Sequence, residues 1–307
     1  MQYIGIDMSK DTFRACFDES TILIFNNNPV GIRQFLKQLS PKALIGVEAT
    51  GVYHLLFAHI VSEKGFQVTV INPLLTHRQI QTSLRKVKTD RTDAVAIRKA
   101  LMTGLGYVFV DTVESLALKT IVSERESLVK MRAETKQRIH VHKLKQQAVT
   151  EKIFNPYTPV IKALSTQIKL LEKQMKGFEK DTQALLQSIP GVGPVTAASL
   201  VACIGNISRF NAPEKLTAYI GLDPRVYQSG TSINGKGYIS KRGNASLRCI
   251  LFNAAFIARR HIPELKQFFN KKISEGKHYF SAQVAVERKL VHLIYAVWTR
   301  NTPYQER

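Results

Sequence analysis

The sequence predicts an α/β domain followed by a long helical segment and a mainly α-helical carboxy-terminal domain. Three observations carry that expectation. Strand-like and helical runs alternate over residues 1–110. Apolar residues at three- and four-residue steps take over across 111–186. From 187 to 307, apolar helical segments are interrupted by one Gly- and Ser-rich stretch. At 307 residues and 44% hydrophobic content, the chain has material for more than one core.

In the first domain, β-branched and aromatic runs predict strands near 2–7, 12–17, 21–26, 43–48 and 67–71. Pro29 followed by "VGIRQFLKQL" starts a first helix, "GVYHLLFAHIVSEKG" forms a second that ends at Gly65, and "NPLLTHRQIQTSL" starts a third at Pro73. In the second segment, "IKALSTQIKLLEKQMKGF" repeats Leu164, Ile168, Leu171 and Met175 on one face. "NPYTP" at Asn155–Pro159 breaks that pattern, so two long helices form a hairpin or coiled coil that joins the domains and can pair subunits. The third domain opens with "SIPGVGPVTAASLVACIG" and closes with "SLRCILFNAAFIARR" and "ERKLVHLIYAVW", all helical, around a loop at 227–244.

Charge narrows the partners. Forty-four Lys and Arg against 23 Asp and Glu leave +21, a surplus that favours a polyanion, with nucleic acid as the expected partner. No run reaches the roughly 18 to 20 apolar residues of a membrane span, and Asp7 stands where a signal peptide needs an apolar core, so a cytoplasmic protein is expected. Cys16, Cys203 and Cys249 lack C-x-x-C spacing and are expected as buried thiols without a disulfide or structural zinc. His140 and His142 in "HVH" are too close to share one helix face and are expected to face solvent.

The acids raise a chemical question. Asp7 follows the apolar run "YIGI", and Glu48 ends "ALIGVE" before the turn "ATG". In a parallel pair those strand ends lie on one sheet edge, where open α/β folds place ligands. Asp90 and Asp93 in "KVKTDRTDA" are three apart and share a helix face. Each has a plain structural reading as well: strand caps for Asp7 and Glu48, and an N-cap with a capping-box acid for the pair. Four acids at one edge would repel strongly unless a divalent cation neutralised them, and an all-oxygen ligand set favours Mg²⁺ or Mn²⁺. Such ions serve phosphodiester cleavage and strand transfer.

In "IPGVGPVTAASL", a G-x-G turn ahead of a helix has the form of a helix-hairpin-helix, making Gly191 and Gly193 candidate contacts to the DNA backbone; an ordinary glycine turn is the plain reading. The loop "VYQSGTSINGKGYISKRGN" offers several hydroxyls, and spacing does not choose among them. Lys236, Lys241, Arg242 and Arg248 in and beside it are candidate phosphate contacts, against the alternative of solvated surface charge.

"YIGID", "GVEATGVY" and "VKTDRTDA" resemble the DEDD motifs of insertion-sequence transposases whose amino-terminal domain is similar to the RuvC Holliday-junction resolvase. The resemblance continues through "IPGVGPVTAASL", "LTAYIGLDP" and "YQSGTSINGKGYISKRGNASLR" to the final helices, nearly the whole chain. It implies an RNase H-like, RuvC-like catalytic domain at 1–110, a coiled-coil oligomerisation segment at 111–186 and a helical transposase domain at 187–307. It further implies that Asp7, Glu48, Asp90 and Asp93 are catalytic metal ligands and that Ser229, followed by Gly230, is the nucleophile. A phosphoserine link to DNA, exchange through a Holliday-like junction, a tetramer of paired dimers and target choice by a structured bridge RNA belong to the same implication. A site-specific DNA invertase shares these motifs and is the second enzyme reading. A non-catalytic nucleic-acid scaffold is the reading from another class, and the intact acids count against it.

Overall fold

The computed structural model describes residues 2–49, 51–73, 75–76, 90–149, 154–224, 228–229, 233–234, 239–241 and 243–306. The chain divides into two compact units, Met1–Val113 and Glu114–Arg307.

The first unit is built on a mixed sheet. Strands β1 (Gln2–Met8), β2 (Thr12–Cys16) and β3 (Ile22–Asn26) form an antiparallel meander. After α1 (Pro29–Leu36), β4 (Ala43–Glu48) returns parallel to β1; after α2 (His54–Glu63), β5 (Gln67–Ile71) lies parallel to β4. Helix α3 (Asp90–Met102) precedes β6 (Tyr107–Val108), which pairs antiparallel with β5. The six-strand order is β3-β2-β1-β4-β5-β6.

Both faces of the sheet are covered, which is why β1 and β4 read as near-continuous apolar runs. On one face Phe13 of β2 packs against Phe35 of α1 and Phe57 of α2, with ring centroids 5.6 and 5.0 Å apart. On the other face lies α3. Asn28 caps α1 by accepting from the Gly31 N–H at 2.9 Å, and Pro29 occupies the first turn, where no amide donor is needed. Helices on both faces of this mixed sheet give the RNase H-like architecture. The five expected strands stand where the sequence places them; β6, two exposed residues long, is too short to leave a periodic signal. Of the third expected helix, Pro73, Leu75 and Thr76 are helical, and 74 and 77–89 lie outside the described residues.

In the second unit, α4 (Val113–Gln147) and α5 (Tyr157–Met175) run antiparallel. Arg125 Nε and Nη2 donate to Glu172 Oε1 at 3.0 and 2.8 Å, and the His142 and Tyr157 rings meet edge to face. His142 is therefore half-buried, whereas His140 is exposed. Helices α6 (Lys180–Gln187), α7 (Pro194–Ile204), α8 (Pro213–Ile220), α9 (Ala245–His261), α10 (Pro263–Ser274) and α11 (Tyr279–Arg300) enclose one apolar core that includes Leu186, Leu200, Leu216, Leu251, Leu290 and Ile294. Between α8 and α9 the expected loop contains a short hairpin, β7 (Gln228–Ser229) with β8 (Ile233–Asn234). None of the three cysteines forms a disulfide; Cys16 is buried, but Cys203 is half-buried and Cys249 exposed, against the expectation of three buried thiols. No described helix is long and apolar enough to cross a membrane.

Candidate active site

Strand register sets the first two acids side by side. Gln2 to Ile6 pair with Ala43 to Val47 in parallel, so the next step along both strands brings Asp7 beside Glu48. Neighbouring strands lie about 4.8 Å apart, and residues level with one another in a parallel pair project from the same face. Across β2, Arg14 stands level with Asp7 and adds an opposing charge to that edge.

Two glycines fix where α3 crosses. A Cβ on Gly5 would lie 2.3 Å from Ala94 O and 2.4 Å from Arg98 N, and one on Gly46 would lie 3.1 Å from Leu101 Cβ. The side chain-free positions let the helix backbone rest on the strands. Gly5 and Gly46 precede Asp7 and Glu48 by two residues, so all four share a sheet face, the one beneath α3. Arg98 Nε donates to Tyr3 O at 2.9 Å, which sets the direction: later residues of α3 lie over the start of β1 and earlier ones over its end. The first turn of α3, with Asp90 and Asp93, therefore lies toward the ends of β1 and β4 where Asp7 and Glu48 stand. Asp7, Glu48 and Asp93 are each half-buried.

Glu48 has a partner that sequence reasoning missed. The Thr76 hydroxyl lies 2.5 Å from Glu48 Oε2 and 2.9 Å from Pro73 O, with Thr76 itself 2% exposed. One hydroxyl proton serves one strong bond, and an ionised carboxylate is the better acceptor, so Thr76 orients Glu48. Nothing in the spacing of "NPLLT" signals this contact, which depends on the chain folding back after β5.

The donor set suits a hard divalent cation: all four predicted ligands offer carboxylate oxygens, without thiolate or imidazole. Among the described residues, which do not include the Asp90 side chain, no three His, Cys, Asp or Glu side chains stand ready to hold a metal ion. The strand register sets Asp7 beside Glu48 and the helix direction turns the start of α3 toward them, and the donor chemistry of the four predicted acids fits Mg²⁺ or Mn²⁺.

In the second unit, Ser229 lies on β7 and pairs with Ile233. Lys236 and Arg242 lie outside the described residues. Lys241 is exposed, with its backbone in the left-handed region at φ 54°. Arg248 Nη1 donates to Ile220 O at 3.0 Å and to Gly243 O at 2.8 Å. At Gly191 a Cβ would lie 2.5 Å from Ala254 O and 2.7 Å from Ala258 N, so packing against α9 by itself requires glycine there. Gly193, the N-cap of α7, is exposed, with open space where a side chain would be. Burial pushes the Cys203 thiol up to about 11, which leaves it protonated and a poor nucleophile.

A family profile described as "Transposase IS116/IS110/IS902 family" matches residues 183–270, and a DEDD profile described as "Transposase" matches residues 4–146. A pilin gene-inverting protein of Moraxella lacunata is 30% identical over 99% of this chain and 98% of its own length. Its counterpart from Moraxella bovis is 29% identical over the same shares. A transposase for insertion sequence element IS1111A of Coxiella burnetii is 27% identical over 99% of this chain and 92% of its own.

Proposed function

Because the chain belongs to the IS116/IS110/IS902 family of transposases, we propose that it cuts and rejoins DNA at insertion-sequence ends and target by transesterification. Asp7, Glu48, Asp90 and Asp93 hold Mg²⁺ or Mn²⁺, and Ser229 is the nucleophile. One observation carries the acidic half of this reading: the β1–β4 register sets Asp7 beside Glu48 on the sheet face that α3, bearing Asp90 and Asp93, covers.

The cation, when bound, neutralises phosphate charge and favours the ionised forms of the attacking and leaving oxygens. The acids hold it and orient it, with Thr76 fixing Glu48. Ser229 Oγ bonds to phosphorus as the bond from phosphorus to the departing strand breaks. One proton leaves Oγ and one reaches the departing oxygen, so no electron or external energy source is consumed. Attack by a strand hydroxyl on the phosphoserine reverses the step and joins new partners. An unperturbed serine is a weak nucleophile, which is why the reading couples it to the acidic site.

The basic surface supplies DNA affinity without reading sequence. Gly193 and Lys241 are open to backbone phosphates, and Lys236 and Arg242, basic residues of the same loop, are assigned the same role. The α4–α5 segment is assigned to pairing subunits, toward a dimer or tetramer, and a structured bridge RNA to target choice; the family resemblance supports both.

A specific observation favours a second reading. The two pilin gene-inverting relatives match over 99% of the chain, and inversion uses the same strand chemistry on differently arranged sites. Either reading requires the acids. Asp7→Asn is expected to abolish Mg²⁺-dependent cleavage of end-containing DNA by at least about 100-fold while DNA affinity stays within about twofold. Wild-type cleavage in the variant, or in excess chelator, would sink the metal assignment and leave the scaffold reading.

A further inference from the structure

We infer that Arg248 is a positioning residue that locks the base of the Ser229 hairpin and makes no DNA contact; its link to catalysis rests on Ser229 being the nucleophile. The segments entering and leaving the hairpin are held together over five residues on each side. The Ser240 N–H donates to Asp223 O at 2.8 Å and the Ser240 hydroxyl donates to Asp223 Oδ1. Pro224 bridges to Ile239, and the Lys241 N–H donates to Gly221 O at 3.1 Å.

Arg248 closes this stem below its last backbone bond. Its Nη1 reaches Ile220 O on the incoming side and Gly243 O on the outgoing side. A Cβ on Gly243 would lie 2.2 Å from Tyr219 O and 2.4 Å from Ile220 O, so the two segments touch backbone to backbone at the point the guanidinium spans. The residue is held on a rigid support. It lies one turn into α9, whose cap Asn244 accepts from the Leu247 N–H at 3.1 Å, and neighbouring Leu247 and Leu251 are fully buried. A planar guanidinium presents donors in fixed directions, which suits two carbonyls on different segments; a lysine ammonium lacks that fork. The stem carbonyls of Gly221 and Asp223 lie on the segment that leads into β7, and the stem amides of Ser240 and Lys241 lie on the segment that follows β8, where Ile233 pairs with Ser229.

The clasp and a phosphate contact make opposite predictions for Arg248→Gln and Arg248→Lys. If Arg248 is a clasp, the amides of Ser240 and Lys241 exchange with solvent at least about tenfold faster in both variants, while core amides of α9 keep their protection. DNA affinity and its salt slope stay as in the wild type, and formation of the covalent adduct slows at least about tenfold through kcat, with KM little changed. Gly243→Ala, which wedges the stem apart with the arginine intact, is expected to reproduce the faster exchange. If Arg248 binds phosphate, stem exchange is unchanged and the salt slope falls by about 1 in Arg248→Gln, with Arg248→Lys near wild type; that pattern overturns the clasp. Ser229→Ala, run in parallel, separates the two readings. An adduct that survives there removes Ser229 as nucleophile, and the exchange data still decide the clasp.

Discussion

Glu287 lies on α11 with 2% of its surface exposed, and burial pushes its carboxyl up to about 8 while the Arg248 guanidinium pulls it down. In the unfolded chain the group ionises near 4.5. Between those values the folded protein holds a proton that the unfolded chain has released, so stability is fully present below about 4.5 and falls as pH rises toward 8. At about 1.4 kcal/mol per pH unit the upper bound is roughly 5 kcal/mol. Glu287→Gln is therefore expected to raise the melting temperature at pH 8 by several degrees more than at pH 5, and equal shifts at both would contradict the buried carboxyl's role. At this scale the sequence marked Asp7, Glu48, Asp90 and Asp93, because an acid that ends an apolar run is conspicuous. It did not mark Thr76 or Glu287, and it marked Arg248 only as a candidate phosphate contact. Their roles come from contacts across 28 residues for Thr76 and Glu48, and 28 for Arg248 and Ile220, and no local pattern records such a contact.

Helix α3 carries the geometry of the acidic edge, and its seat is Gly5. The nearest atoms to an added Cβ are backbone, Ala94 O and Arg98 N, which cannot rotate away. Gly5→Ala should push α3 off β1, cost about 1–3 kcal/mol or more, and displace Asp93 from Asp7. Paired chemical denaturation and Mn²⁺ titration check this: the expected result is lower stability together with weakened ion binding, and wild-type values for both would show that α3 does not rest on Gly5. Most elements were legible. Alternation and β-branched residues located the five longer strands, and Asn155–Pro159 located the break between α4 and α5. The sequence also showed that Gly191 was special. Its reason was legible only in the fold, since a glycine demanded by α9 packing and one open to a phosphate look alike in "GVG".

For the whole molecule, charge and order of motifs were the readable features. A surplus of +21 pointed to nucleic acid, and the resemblance running from "YIGID" to the last helices pointed to the family that the profile matches and relatives establish. The choice among hydroxyls in "YQSGTSINGKGY" was not readable from spacing, because several serines and threonines share one loop and chemistry depends on which of them reaches a phosphate. The central claim is that strand breakage passes through Ser229. The most direct measurement incubates the wild type, Ser229→Ala and Asp7→Asn with end-labelled DNA in Mg²⁺, and resolves protein-linked label under denaturing conditions. The account predicts a covalent adduct mapped to Ser229 in the wild type and none in either variant. Cleaved wild-type DNA without any protein-linked label, or an adduct that persists in Ser229→Ala, would contradict it.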